Sequence, residues 1–467
     1  MNTFLHRPHL GHRFAKIKHA YPWRVVEHWP QRISVWLGGI GVALCAIVFA
    51  MATDRAFELF QRAIAWHSAT ACIIAPVGLV LVAWLTLRFV PGAQGSGIPQ
   101  TIAALTMTPA QRKGVLSLRI AFAKVALTSI GLAAGASVGR EGPSVQVGAS
   151  LMLRLGKLFR LQGTLNERSL TLAGGAAGIA AAFNTPLAGV VFAIEELSRS
   201  YEARTSGTVL TAVILAGITS LALVGNSPYF GHASVILELG KGWFAVGLIG
   251  LCGGILGGLF SQLLVVASQR GLPGPIGRLA RQRPIVFAAA CGLAIALIGI
   301  LSSHTTYGTG YQEGRALLEG ETLPWAFFPL KILATVFSYL SGIPGGLFSP
   351  SLSAGAGLGA TMAHLLPDTP AKACILLGMA AYFTGVVQSP ITAAVIVMEM
   401  TDNRELTVPL MAASFVAFGA SRLVCPHPLY KALAVRFLAH KSSGSPQPVR
   451  TDLSDEVNPL PPRTAAE

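Results

Sequence analysis

The chain has 467 residues, of which 52% are hydrophobic and only 12% charged, with a formal net charge of +15 and a mean hydropathy of +0.59. Soluble domains carry roughly 25% charged residues, so the composition excludes an ordinary soluble protein and points to an integral membrane protein. The positive charge does not imply a nucleic-acid partner. It sits in residues 1–32 (Arg7, Arg13, Lys16, Lys18, Arg24, Arg32), at Arg112/Lys113/Arg119 and at Arg270/Arg278/Arg281/Arg283, flanking apolar runs where Lys and Arg set topology by staying cytoplasmic.

In chain order, charge-free stretches occupy 33–53, 63–87, 169–194, 205–237, 242–269, 284–312 and 332–367. Each exceeds the roughly 20 residues that cross a bilayer, and the longest must hold more than one helix. One membrane domain is therefore expected over residues 33–437, between a basic cytoplasmic segment (1–32) and a disordered Ser/Pro/charge-rich tail (438–467). The first apolar run begins beyond residue 32 and is long enough to span, so no cleavable signal peptide is expected. Six scattered cysteines without a CxxC motif read as small buried hydrophobes rather than a metal or disulfide frame.

Spans are predicted over 33–53 and 63–91, joined by a short charged loop from Asp54 to Arg62. Then comes Gly95-Ser96-Gly97-Ile98-Pro99. The glycines let the backbone leave the helix, and Pro99 opens a new one. Broken helices at membrane depth survive only where they line a cavity or are buried in protein. Ser96 is either a hydroxyl donor at that helix start or an ordinary N-cap. The apolar segment 120–138 carries one cation, Lys124, which snorkels or helps attract anions.

Next is Gly139-Arg140-Glu141-Gly142-Pro143-Ser144-Val145-Gln146, opening a helix to about Leu158. Glu141 is an acid within an otherwise small and apolar neighbourhood, and an ionisable group at membrane depth marks function by default. Pro143 suits a first helical turn, which places Glu141 at a helix N-terminus, where N–H groups and the dipole attract anions. A carboxylate there holds a place that a dissolved anion could equally take. Residues 174–197 form two Gly/Ala-rich helices split at Pro186 and closing on Glu195-Glu196, a wet helix end or a functional pair. Spans at 205–225 and 242–269, a basic loop, and spans near 284–302 and 323–341 follow. Gly345-Gly346-Leu347-Phe348-Ser349-Pro350 repeats the glycine-then-proline break. Residues 373–400 and 406–424 follow, and Pro426 to Tyr430 opens a last short helix.

An internal repeat decides the architecture. Residues 141–151 align with 348–358 at an offset of 207, sharing Pro, Ser, Gly, Ala and Leu. Residues 186–195 align with 390–399 at an offset of 204, sharing Pro and Glu. Repeats with broken helices at matching positions mark a transporter fold whose site lies at the repeat interface. The halves are expected at about 33–225 and 240–437. Four helix N-termini near 95–99, 139–143, 345–350 and 426–430 favour an anion over a cation.

These stretches resemble the CLC family of chloride channels and proton–chloride exchangers: GSGIP (95–99), GREGP (139–143), GGLFSP (345–350), Tyr430, and the FNTPLAGVVFAIEEL and VMEMTD segments. The resemblance spans nearly the whole membrane domain, in order. It implies an all-α polytopic fold with two inverted-topology repeats of broken and tilted helices, and a homodimer with one pore per subunit in the lipid bilayer. By motif, the Ser96 and Tyr430 hydroxyls and the Leu347 and Phe348 backbone N–H groups would hold chloride. Glu141 would be the external gating acid and Glu196 the internal proton-transfer acid. Gly95, Gly97, Pro99, Lys124, Gly139, Arg140, Gly142, Pro143, Gly346 and Pro350 would support them. Glu196 favours an exchanger over a channel, and Ser96 favours chloride over nitrate. Lacking CBS domains, the chain resembles short prokaryotic members, which implies an inner membrane with both termini cytoplasmic. No metal or cofactor is expected, and chloride and protons are the partners. The nearest alternative is a passive chloride channel of the same fold. A remote one is an intramembrane serine hydrolase using Ser96 with a partner among His67, His232, His304 and His364.

Overall fold

The computed structural model describes residues 29–161, 164–199, 203–225, 228–237, 240 and 242–439. Most of the basic N-terminal segment and nearly all of the C-terminal tail therefore lie outside the described residues. Among those described, regular structure is helical throughout, apart from two isolated β-bridges. The first half runs α1 (Trp29–Trp66), α2 (Ala71–Phe89), α3 (Ile98–Ala104), α4 (Leu118–Ala133), α5 (Glu141–Leu158), α6 (Thr164–Phe183), α7 (Pro186–Phe192) and α8 (Ala203–Val224). The second runs α9 (Gly242–Gln269), α10 (Gly274–Gln282), α11 (Pro284–Leu301), α12 (Tyr311–Glu319), α13 (Phe327–Leu340), α14 (Phe348–Ala363), α15 (Ala371–Val387), α16 (Pro390–Thr401), α17 (Thr407–Val424) and α18 (Leu429–Ala439).

The helices sort into two layers by composition. Among the described residues, six are long and apolar enough to cross a membrane. They form three repeat-related pairs: α1 with α9, α2 with α11, and α8 with α17. These carry most of the exposed Leu, Ile, Val and Trp side chains. The inner layer is Gly/Ala-rich and shorter, and α15 is buried along nearly its whole length. A β-carbon on Gly148 would overlap the Gly174 carbonyl where α5 crosses α6. The repeat-related Gly355 would meet the Gly378 carbonyl where α14 crosses α15. Small residues thus let backbones touch, the usual device of helix packing in lipid.

The halves are inverted. Glu195, after α7, accepts hydrogen bonds from the Ile391 and Thr392 N–H groups at the start of α16, at 3.1 and 2.6 Å. Glu399, late in α16, accepts from Leu187 and Ala188 at the start of α7, at the same distances. Each helix end meets its equivalent's beginning, so the equivalents run antiparallel. Only a pseudo-two-fold axis in the membrane plane does this to helices that cross it. Gly139 and Gly346, 207 apart, exchange N–H···O bonds of 2.8 and 2.7 Å and lie beside that axis.

Three expectations need correction. The Asp54–Arg62 segment is not a loop; α1 runs through it for 38 residues, about 57 Å at 1.5 Å per residue. It holds no Gly or Pro to stop a helix, and Phe60 is buried against the Tyr307 ring at 4.8 Å. The basic loop after α9 contains the helix α10, and α12 was not anticipated. Arg112 is not a surface topology signal. It is buried, ion-paired with Glu167, and donates to the Ala104 and Met107 carbonyls, both at 2.8 Å.

Candidate functional site

The site assembles where α3, α5, α14 and α18 begin. The first N–H groups of a helix have no intrahelical acceptor. Among the described residues, no backbone group accepts from the N–H of Gly142, Leu347 or Phe348, and the Glu141 N–H faces its own carboxylate. These ends are close: a β-carbon on Gly142 would overlap Ser96 Oγ and approach the Gly346 Cα, and one on Gly97 would lie 2.8 Å from the Gly142 carbonyl. Gly97 also needs its φ of +106° to turn into α3. The Phe348 ring stacks on Tyr430 at 6.0 Å and packs against Phe183, Phe192 and Phe383. Tyr430 places its hydroxyl beside that of Ser96.

Carbonyls would repel an anion, and the loop before α3 has them tied back. Gln146 Nε2 donates to the Gly92 carbonyl at 3.0 Å, and Gln100 Nε2 to Gln94 at 2.5 Å. Lys124 Nζ takes those of Ala93 (2.8 Å) and Gly95 (2.5 Å). Lys124, fully buried, therefore fixes this loop as well as bringing a positive charge near it. Sequence reasoning missed its repeat-related counterpart Lys331, which grips the Thr306, Tyr307 and Gly308 carbonyls at 3.0, 3.3 and 2.9 Å. The offset of 207 would have found it.

Glu141 is 0% exposed. Its Oε1 accepts from Ser349 Oγ at 2.6 Å, and its Oε2 has no partner. The carboxylate thus spans from its own helix start to that of α14. Gly139 makes room for it, because a β-carbon there would overlap Oε2. Arg140 does not pair with it; Nη1 reaches Asp54 Oδ1 (2.6 Å), Thr53 Oγ1 and the Ala50 carbonyl, tying this break to α1. Pro99, Pro143 and Pro350 all fall in first helical turns.

Glu196 lies in a π-helical turn, Ala193–Ser198, a feature often found at functional positions. It is 2% exposed, while its neighbour Glu195 caps α16. Ser389 Oγ donates to Glu196 Oε2, and Arg199 stands 3.8 Å away. Oε1 is unpartnered. So four atoms of the expected site residues, Ser96 Oγ, Tyr430 Oη, Glu141 Oε2 and Glu196 Oε1, are buried without a hydrogen-bond partner. Such atoms are costly unless something else satisfies them. Sequence reasoning gave Ser349 no role beyond its motif and did not see Ser389.

Two cavities flank the cluster. One of about 520 Å³ is lined by Asp54, Glu58, Arg140, Tyr229, Tyr311 and Glu313 among others. A second, about 100 Å³, is lined by Gln94, Ser96, Tyr339 and Arg436 among others. They open on opposite sides, because α2, 19 residues long and so about 28 Å, separates the end of α1 from the 91–97 loop. None of the four candidate histidines, all among the described residues, serves Ser96. His67 accepts from the Ala69 N–H, His232 meets Asp402 and His304 meets Ser68, while His364 follows α14 on the exposed surface.

Comparison with known proteins agrees with this geometry. A family model described as voltage gated chloride channel matches residues 77–422. An H(+)/Cl(-) exchange transporter ClcA from Yersinia pseudotuberculosis serotype IB is 30% identical over 437 residues, covering 86% of each chain. One from Citrobacter koseri is 28% identical over 446 residues, covering 86% of this chain and 90% of that one. Among solved structures, a slow cyanobacterial Cl-/H+ antiporter superposes with a TM-score of 0.75 at 24% identity, covering 89% of this chain and 99% of that one. A CLC-type fluoride/proton antiporter gives 0.70 at 22% identity, covering 85% and 97%.

Proposed function

The chain belongs to the voltage gated chloride channel family, and from that premise we propose that it exchanges chloride for protons across its membrane. It is a multi-pass transporter, not an enzyme. The observation that carries the reading is the set of four buried, unpartnered polar atoms between two cavities. Ser96 and Tyr430 hydroxyls, with the Leu347 and Phe348 N–H groups, bind chloride without a contacting Lys or Arg, so the ion can leave again. Glu141 closes the path toward the larger cavity by placing its carboxylate at helix N-termini that attract anions. Protonation removes the charge that holds it there, the side chain withdraws, and chloride takes its place. One carboxyl thus counts both ions.

Glu196 passes protons from the other side by a route apart from chloride. It is buried and hydrogen-bonded to Ser389, and this argues for exchange over passive conduction, which has no use for a buried acid there. The basic N-terminal segment argues for a cytoplasmic N-terminus; on this reading both termini are cytoplasmic and the Asp54-side cavity faces out. The membrane is a prokaryotic inner membrane, residues 33–437 are the transport unit, and two copies associate, each with a complete pore. In proteoliposomes, Glu141→Ala keeps chloride flux and loses chloride-driven proton uptake, as does Glu196→Gln. Proton pumping intact in either purified variant contradicts the assignment.

A further inference from the structure

The larger of the two cavities is lined in part by a tyrosine that no motif contains, Tyr229. We propose that Tyr229 is the relay residue that carries protons between this cavity and Glu141, through Ser349. This rests on the reading of Glu141 as the outer proton-accepting acid. Tyr229 lines the cavity, and its phenol stands near the Ser349 hydroxyl. Ser349 Oγ in turn donates to Glu141 Oε1 at 2.6 Å. A proton that reaches Ser349 Oγ from the phenol therefore has one formed hydrogen bond left to cross to the Glu141 carboxylate.

The phenol is held in place. Its ring meets Tyr311 at 4.7 Å, Phe230 at 5.2 Å and Phe183 at 5.6 Å, all edge to face. Its backbone is anchored to the end of α16: Phe230 N–H bonds the Met400 carbonyl at 2.8 Å and Ala233 N–H the Thr401 carbonyl at 3.0 Å. The charged and titratable groups facing it are Arg140, Glu141 and Asp54, with Glu58, Tyr311 and Glu313 on the same cavity wall. Arg140 is bound to Asp54, so the ion pair presents little net charge. A phenol suits this place because its ordinary pKa near 10 keeps it neutral. It neither attracts nor repels chloride.

In the step, a hydronium in the cavity gives a proton to the Tyr229 oxygen and becomes water. The original Tyr229 proton passes to Ser349, and the Ser349 proton to Glu141. Both hydroxyls keep one hydrogen, Glu141 becomes neutral, and nothing is oxidised or reduced.

The test uses the full-length protein in liposomes. Tyr229→Phe keeps the ring cluster and removes only the relay atom. It slows chloride-driven proton uptake by about tenfold or more, as general acid–base groups do, and moves the turnover profile toward lower outside pH. The coupling ratio is unchanged. Ser349→Ala slows uptake similarly, and the double variant is no slower. In a Glu141→Gln background, Tyr229→Phe leaves chloride flux unaltered. A wild-type rate and pH profile in Tyr229→Phe overturns the relay, and so does an equal slowing of chloride flux in the Glu141→Gln background. Proton uptake persisting in Glu141→Gln alone instead overturns the reading of Glu141, and the relay falls with it.

Discussion

The two halves of this molecule share a scaffold and differ in chemistry. Lys124 and Lys331 both tie down carbonyls. Glu195 and Glu399 cap each other's helices, and Gly148/Gly174 and Gly355/Gly378 make equivalent crossings. Yet Glu141 corresponds to Phe348 at the offset of 207, and Glu196 to Met400 at 204. Residues that build the fold are repeated, and the two acids assigned to proton transport are not. The repeat supplies a pair of converging helix starts, and on the proposed mechanism the asymmetry at two positions supplies the coupling.

The largest expected effect tests that asymmetry. Glu196→Gln reduces chloride-driven proton uptake to background, whereas Met400→Leu, at the matching place, leaves it near wild type. A pH electrode in the outer bath of loaded vesicles reads both, and equal losses would break the comparison.

The scaffold predicts the opposite pattern. Gly148→Ala and Gly355→Ala each force a β-carbon into a facing carbonyl. Each should cost about 3 kcal/mol, the upper end for overpacking, with similar drops in thermal midpoint or monodisperse yield in detergent. If only one is tolerated, the equivalence of the crossings is wrong.

The lysines sharpen the contrast. Lys124→Met and Lys331→Met each strand buried carbonyls, at about 1–3 kcal/mol apiece. Only Lys124→Met should also slow chloride flux, because its carbonyls adjoin Ser96. The smallest effect belongs to the exchanged caps: Glu195→Ala and Glu399→Ala each lose about 1 kcal/mol. Of the two, only Glu195→Ala should disturb proton flux, since the turn it holds carries Ser389.

Much of this was legible in the chain itself, for a physical reason. Breaking a helix inside a membrane takes Gly and Pro, and these mark α3, α5, α14 and the α7 and α16 starts with little ambiguity. The two acids stood out because charge at depth is rare. Legibility failed where charge was not at depth: Asp54–Arg62 looked like a loop but continues α1, since long apolar contacts such as Phe60 against Tyr307 lie beyond any hydropathy window. It failed too where the proposed mechanism rests on ordinary residues. Ser349, Ser389 and Tyr229 have common side chains in unremarkable contexts, and only their placement beside Glu141 and Glu196 distinguishes them.

The central claim is that the Glu141 carboxylate occupies an anion's place. Bromide anomalous scattering from crystals of Glu141→Gln measures this directly. The account predicts a bromide peak between Gly139 and Ser349, where the wild-type carboxylate lies, in addition to one at Ser96 and Tyr430. A variant that binds bromide only on surfaces remote from these helix starts would contradict it.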